Sequence, residues 1–188
     1  MAKTFRLTGE KLIEIPIFNN LNVYEGEVLL DITSTKVFKE NDVVIKEGSP
    51  GDALFIILEG VVDIVKKIDD NRFKTLARFG PDHAFGEGTL INRETSLRSA
   101  SGIARSRTRV LTIYKDDFHR LLDFGSIVAY KVTLNLARIL AERQAAVDRE
   151  LIEIINKVDD KSKTIIQEFM HKKLELNTKP KKRKSTSS

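Results

Sequence analysis

Apolar and polar positions change their spacing twice along this chain, and each change predicts a different kind of element. Between residues 10 and 31, apolar side chains recur at Leu12, Ile13, Ile15, Ile17, Phe18, Leu21, Val23, Val28, Leu29 and Leu30, with Pro16 and Gly26 among them. That spacing predicts short helical pieces around a break, because proline and glycine punctuate a helix face. From Ile32 to Tyr114, short runs rich in Val, Ile, Phe and Thr alternate with Gly, Pro, Asp and Asn. Residues 43–45, 53–58, 61–65 and 109–114 are predicted strands of this kind. Only Glu59-Gly60 separates the second from the third, which predicts a tight hairpin. Several short strands with turn signals between them predict a sandwich or a barrel.

After Lys115 the spacing becomes helical. Asp116 or Asp117 is placed to cap a helix whose apolar face is Phe118, Leu121 and Leu122. A longer helical pattern, without proline or glycine, runs from Ile127 to Val158. Within it Leu140, Val147, Leu151, Ile154 and Val158 fall on three- and four-residue steps, interrupted by the polar Gln144, as in a heptad seam. Ile165, Ile166, Phe169 and Met170 predict a further helix. Such helices either pad the core of the same domain or pair with a second copy. A helix this long rarely finds cover on one small β-domain, which favours a homodimer seam.

Composition narrows the classes. A chain of 188 residues suits one domain with extensions, and 41% hydrophobic with 31% charged residues is ordinary for a soluble globular protein. The absence of cysteine excludes disulfides and thiolate metal sites. His83, His119 and His171 are too scattered to suggest a metal site. The opening residues MAKTFRLTGEKLIEI have no apolar signal-peptide core, and no apolar run approaches a membrane span, so a cytoplasmic location without membrane contact is expected. The net charge of +5 is matched by Lys179, Lys181, Lys182, Arg183 and Lys184 in a tail that holds no acid. Nucleic acid is therefore not an expected partner except through residues 179–184, a run that reads first as a solvated tail and also resembles a nuclear import signal.

Two segments carry candidate chemistry. Residues 46–65, KEGSPGDALFIILEGVVDIV, place glycines at 48, 51 and 60 where turns need unusual dihedrals, a feature many β-folds share. Residues 85–100, FGEGTLINRETSLRSA, begin with glycines that let backbone N–H groups converge. A helical turn starting at Gly88 would point free N–H groups at an anion. Glu87 can accept from a sugar hydroxyl, Arg98 can fork onto a phosphate, and Ser99 adds a hydroxyl beside it. By chemistry alone, a surface loop with an ordinary salt bridge between Glu87 and an arginine fits the same residues. No nucleophile–base pair, metal cluster or P-loop is legible, so an enzyme is not expected.

The order of these parts resembles the cyclic-nucleotide-binding domain family, which includes the catabolite activator proteins and the regulatory subunits of cAMP-dependent protein kinase. EGSPGDALFIILEGVVDIV resembles the family's turn, strand and following Glu-Gly, FGEGTL…RSA resembles its phosphate-binding cassette, and NLARILAER resembles the activator proteins' dimer helix. The resemblance spans roughly residues 15–155. It implies an eight-stranded jelly-roll, a double-stranded β-helix, with N-terminal helices and a long C-terminal dimerisation helix. The domains would be a helical segment over 1–31, the nucleotide-binding β-roll over 32–115, lid and dimer helices over 116–176, and a basic disordered tail over 177–188.

The resemblance also implies roles. Glu87 would bind the ribose 2′-hydroxyl, Arg98 the cyclic phosphate, and Ser99 the phosphate or base. Gly86 and Gly88 would offer backbone contacts, Thr89 would be a further ligand contact within the cassette, and Leu90 and Ala100 would complete the ligand-binding set by packing it. The ligand would be cAMP, with cGMP as the other choice, and no metal or other cofactor is implied. The protein would pass its state to an effector protein through the C-terminal helices. An empty site would leave Arg98 solvated or weakly paired. An Arg98 with a structural role would instead be tied to Glu87 or Asp82.

The cassette departs from the family pattern at Gly88, where a bulky apolar residue is usual, and at Thr89, where a small one is. Leu90 and Arg98 are also one or two steps further apart than is common. These departures leave a second reading open, a protein-interaction module that keeps the roll and has lost the ligand. No transcription-factor, kinase, channel or cyclase segment is legible beside the roll, so a stand-alone sensor is expected.

Overall fold

The computed structural model describes residues 7–70 and 72–157, together with 164, 168 and 171. Val158, the further helix expected around Ile165, Ile166, Phe169 and Met170, and the basic residues 179–184 lie outside them. The chain divides into two units, Met1–Ile139 and Leu140–Ser188.

The N-terminal apolar pattern folds into α1 (Gly9–Ile13), a 3-10 turn (Pro16–Phe18) and α2 (Val23–Leu30). Pro16 opens the 3-10 turn, as a residue lacking an N–H should. Gly26 is not a break. It lies inside α2, where an added Cβ would stand 3.0 Å from the Gly9 carbonyl, so the two glycines let α1 and α2 cross in close contact. A reciprocal cap starts α2: the Asn22 side chain accepts from the Glu25 N–H, and Glu25 accepts from the Asn22 N–H, both at 2.9 Å.

Eight strands follow: β1 (Thr33–Phe38), β2 (Val43–Ile45), β3 (Ala53–Glu59), β4 (Val62–Asp69), β5 (Arg72–Phe79), β6 (Ala84–Phe85), β7 (Ser101–Ala104) and β8 (Thr108–Tyr114). They form two four-stranded antiparallel sheets, ordered β1-β8-β3-β6 and β2-β7-β4-β5. This is the expected eight-stranded jelly-roll.

The hairpin expected at Glu59-Gly60 is absent, because β3 and β4 belong to different sheets. Gly60 instead turns the chain from one sheet to the other. Its φ is 90°, and a Cβ there would meet the Arg107 carbonyl at 2.6 Å. The hairpin that does form joins β4 to β5.

β3 explains why residues 53–58 read as an unbroken apolar run, since both of its faces are covered. Ala53, Phe55 and Ile57 join Val62, Phe85 and Val110 in one cluster, while Leu54 and Ile56 pack with Phe18, Leu29 and Phe118 in another. The roll also buries a carboxylate. Asp63 on β4 is 2% exposed and accepts from Arg78 Nε at 2.6 Å and Arg105 Nε at 2.9 Å. The Arg78 hydrogen bond comes first among the influences that hold its carboxyl down to about 2, against the opposing effect of burial.

Two helices close the described chain, α4 (Lys115–Asp123) and α5 (Ile127–Lys157). Neither Asp116 nor Asp117 caps α4. Tyr114 stands at the cap, both aspartates lie in the first turn, and Asp117 pairs with Arg120 one turn on. Acids there still complement the positive end of the helix dipole. Phe118 is buried, as its place on the apolar face requires.

The first half of α5 is pinned to the N-terminal segment. Buried Asn135 donates to the Ile17 carbonyl at 3.1 Å and to Asn20 Oδ1 at 2.8 Å, and Lys131 pairs with Glu25. Further along α5, Leu140 and Leu151 are half-buried while Val147 and Ile154 are exposed. No single helix among the described residues is long and apolar enough to cross a membrane.

Candidate functional site

The two motif segments meet through backbone hydrogen bonds. Gly48 N–H donates to the Arg98 carbonyl at 2.9 Å, Arg98 N–H to the Ser49 carbonyl at 2.8 Å, and Gly51 N–H to the Ser96 carbonyl at 2.8 Å. The turn before β3 is thereby stitched to the far end of the cassette. The near end is β6, followed by Gly86, Glu87 and the short helix α3 (Gly88–Ile91). That helix starts where the sequence places a helical turn. Two of its early N–H groups are already engaged, Thr89 with the Gly86 carbonyl at 3.2 Å and Leu90 with the Glu87 carbonyl at 3.1 Å.

Arg98 occupies the centre of this arrangement and is 7% exposed. Its Nη1 donates to Thr89 Oγ1 at 2.9 Å and to the Gly86 carbonyl at 3.3 Å. Its Nη2 donates to the Ala53 carbonyl at 2.7 Å and to Asp52 Oδ1 at 3.3 Å. The guanidinium carbon lies 5.6 Å from the centre of the Phe55 ring, which itself stacks on Phe85. The expectation of a solvated or weakly paired Arg98 is thus overturned. A buried cation must have its donors satisfied, and the fold supplies four acceptors from within. Its carboxylate partner is Asp52, not Asp82; Asp82 sits in a turn at φ 68°. Burial pushes the guanidinium below its usual range, and the charges of Asp52 and Glu87 oppose that shift.

Glycines make room for this cation. Gly86 has φ 78°, and a Cβ there would lie 2.5 Å from Arg98 Nη1. A Cβ at Gly51 would collide with Thr89 Oγ1. Gly88, by contrast, is open: a Cβ there would have no neighbour within 4 Å.

The remaining sequence-predicted residues divide. Glu87 is half-buried and lies close enough for its charge to act on Arg98. Leu90 points away, into the helix-facing core, and Ala100 is buried. Ser99 is exposed, and its carbonyl accepts from Lys66 Nζ at 2.6 Å.

Sequence reasoning treated residues 46–65 as turns and strands, and so missed that Gly51, Asp52, Ala53 and Phe55 form the wall around Arg98. The available signal was Gly51-Asp52 directly before an apolar strand, a glycine and a carboxylate in a turn that meets the cassette.

The cassette is also tied to α4. His119 Nε2 lies 2.8 Å from the Leu90 carbonyl, Lys115 Nζ donates to the Glu94 carbonyl at 3.0 Å, and Arg93 pairs with Asp123. The polar loop 92–96 therefore has a use, supplying two of these three ties. A cleft of about 420 Å³ opens beside it, lined among others by Gly51, Asp52, Thr95 and Lys115. Among the described residues no group of three metal-ligating side chains is present.

Comparison with known proteins agrees with this architecture. The model of the family described as "Cyclic nucleotide-binding domain" matches residues 35–123. The cyclic AMP receptor protein of Thermus thermophilus is 29% identical over 136 residues, which are 72% of this chain and 60% of that protein. A cAMP-dependent protein kinase regulatory subunit of Yarrowia lipolytica is 34% identical over 59% of this chain and 28% of its own length. The chain thus spans less than two thirds of the length of these curated relatives. A crystal structure of a cyclic nucleotide-binding domain from Methylobacillus flagellatus superimposes with a TM-score of 0.68 at 27% identity, covering 77% of this chain and 83% of that one.

Proposed function

Through residues 35–123 the chain belongs to the cyclic nucleotide-binding domain family, and from that premise we propose that it is a receptor for a cyclic mononucleotide, cAMP before cGMP, which signals and does not catalyse. The observation that carries this reading is the convergence of Gly86, Glu87 and Arg98 in one cassette. Glu87 accepts from the ribose hydroxyl and Arg98 gives a forked, charge-assisted contact to the phosphate. Asp52, whose side chain is 74% exposed, is free to turn toward the adjoining cleft as the anion arrives.

Ligand binding draws the cassette inward and shifts a two-state equilibrium. The ties at His119, Lys115 and Asp123 carry the shift to α4. Gly125, at φ 71°, forms the turn from α4 into α5, and α5 holds the N-terminal segment through Lys131 and Asn135. A coupling of ~1–3 kcal/mol suffices for useful regulation. The protein acts as a homodimer on an effector protein, in the cytoplasm.

Calorimetric titration with cAMP and with cGMP tests this, with Arg98→Ala as the control. Saturable heat that the control loses is expected. No heat and no thermal shift with either nucleotide at millimolar concentration would overturn the reading. One observation favours the second reading, an interaction module without ligand: both Nη nitrogens of Arg98 are already engaged by protein acceptors.

A further inference from the structure

The four acceptors around Arg98 differ in whether they can leave. The Ala53 carbonyl belongs to β3, and the Gly86 carbonyl follows β6. Asp52 is exposed and can swing away. Thr89 is 4% exposed, is β-branched and therefore stiff at χ1, and fills the space that the missing Gly51 side chain leaves. Its hydroxyl sits 2.9 Å from Arg98 Nη1. A phosphate seeking that nitrogen must displace a hydroxyl that has nowhere to go.

We infer that Thr89 is a built-in competitor for the anion, a side chain that sets ligand affinity by holding Arg98 Nη1 in the empty protein. The inference rests on the receptor reading above and changes the role of Thr89 from a ligand contact to a brake. Removing the hydroxyl acts on one side of the equilibrium. The empty protein loses an acceptor for a buried cation and becomes less stable. The bound protein loses nothing, since phosphate oxygen supplies that acceptor. The difference favours the bound state, so Thr89→Ala binds more tightly than the natural chain. Thr89→Ser keeps the hydroxyl and stays close to the natural affinity.

The test is calorimetric titration of the full chain, Thr89→Ala and Thr89→Ser with cAMP and with cGMP, alongside melting temperatures with and without nucleotide. Thr89→Ala is expected to lower the dissociation constant about tenfold, to melt lower than the natural chain when empty, and to regain most of that loss at saturating nucleotide. Binding by Thr89→Ala where the natural chain is silent would support the inference in its strongest form. Equal or weaker binding by Thr89→Ala, with the natural chain binding normally, would overturn the inference and leave the receptor reading standing. Silence from all three proteins at millimolar nucleotide would overturn the receptor reading, and the inference with it.

Discussion

The ammonium of Lys131 on α5 donates to both carboxylate oxygens of Glu25 on α2, at 2.6 and 2.7 Å, across 106 positions of sequence. Glu25 also closes the cap of its own helix, so one carboxylate fixes the start of α2 and the placement of α5 together. The Lys131 hydrogen bond is the first cause, and the Asn22 N–H the second, that holds this carboxyl below its usual range. Lys131→Met leaves Glu25 charged and largely buried without its partner. It is expected to cost about 1–3 kcal/mol of stability, measured by denaturant unfolding. The melting temperature of the natural chain should exceed that of the variant most at neutral pH, and least in acid, where Glu25 is protonated in both. A difference that does not narrow in acid would mean that the ion pair is not what the variant lost.

Arg98→Ala is expected to change two quantities at once. Loss of the forked contact should weaken cyclic nucleotide binding about a hundredfold. Loss of a buried cation that joins Asp52, Ala53, Gly86 and Thr89 should also lower the stability of the empty protein, by about 2–4 kcal/mol. Lysine should rescue neither fully, because a point charge cannot reproduce the fork. Unaltered affinity together with lost stability would identify the cassette as a scaffold and favour the interaction-module reading.

Asp63 gives the roll a definite acid response. Its carboxyl is held at about 2, below the ordinary 3.8, so the folded state binds that proton more weakly than the unfolded chain does. The stabilisation is fully present above the ordinary value and is lost as pH falls through about 4 toward 2. Asp63→Asn should flatten the acid limb of a pH–stability curve and lower the plateau above pH 5, because Arg78 and Arg105 lose their shared anion. A variant curve parallel to the natural one down to pH 2 would show that the acid sensitivity arises elsewhere.

Residues 140–157 of α5 leave Val147 56% and Ile154 49% exposed, on the seam that includes Leu140 and Leu151. Burial of that seam against a second copy is the expected use. Sedimentation should give a species of twice the 21.3 kDa chain mass at tens of micromolar, and Leu151→Lys should return it to a single chain. A single-chain species from the natural protein would remove the dimer from the proposal.

What was legible in the sequence depended on whether a local pattern carried it. Residues 53–58 announced β3 because burial on both faces demands an unbroken apolar run. β5 was silent: Arg72, Lys74 and Arg78 alternate with residues that are largely exposed, and only pairing with β4 makes RFKTLARF a strand. Glu59-Gly60 looked like a hairpin because two residues suffice for one. What sends the chain to the other sheet is Gly60 lying against Arg107 and Thr108, a contact that no local pattern encodes. Glu87 and Arg98 were candidates by their chemistry, and the resemblance chose between a ligand site and a surface salt bridge, but the way Arg98 is held was not legible. Asp52 and Arg98 are 46 positions apart, and the burial that compels the cation to find partners exists only once the roll has closed.

The strands that open the roll pair with the strands that end it: Thr33 on β1 lies opposite Ile113 on β8, and Val43 on β2 opposite Ile103 on β7. A ribosome adding about 5–20 residues per second therefore leaves β1 without its partner for on the order of 4–16 s. Contacts so distant along the chain also slow refolding once synthesis is complete. The strand that waits longest is Thr-Ser-Thr-Lys-Val-Phe, short and mostly polar with a lysine near its middle, a composition that resists pairing with stray edges. The more apolar β3 comes later, and its partner β6 follows within some thirty positions. The order of apolar content along the chain thus suits the order of synthesis, with the apolar β3 waiting for a far shorter stretch of chain than the polar β1.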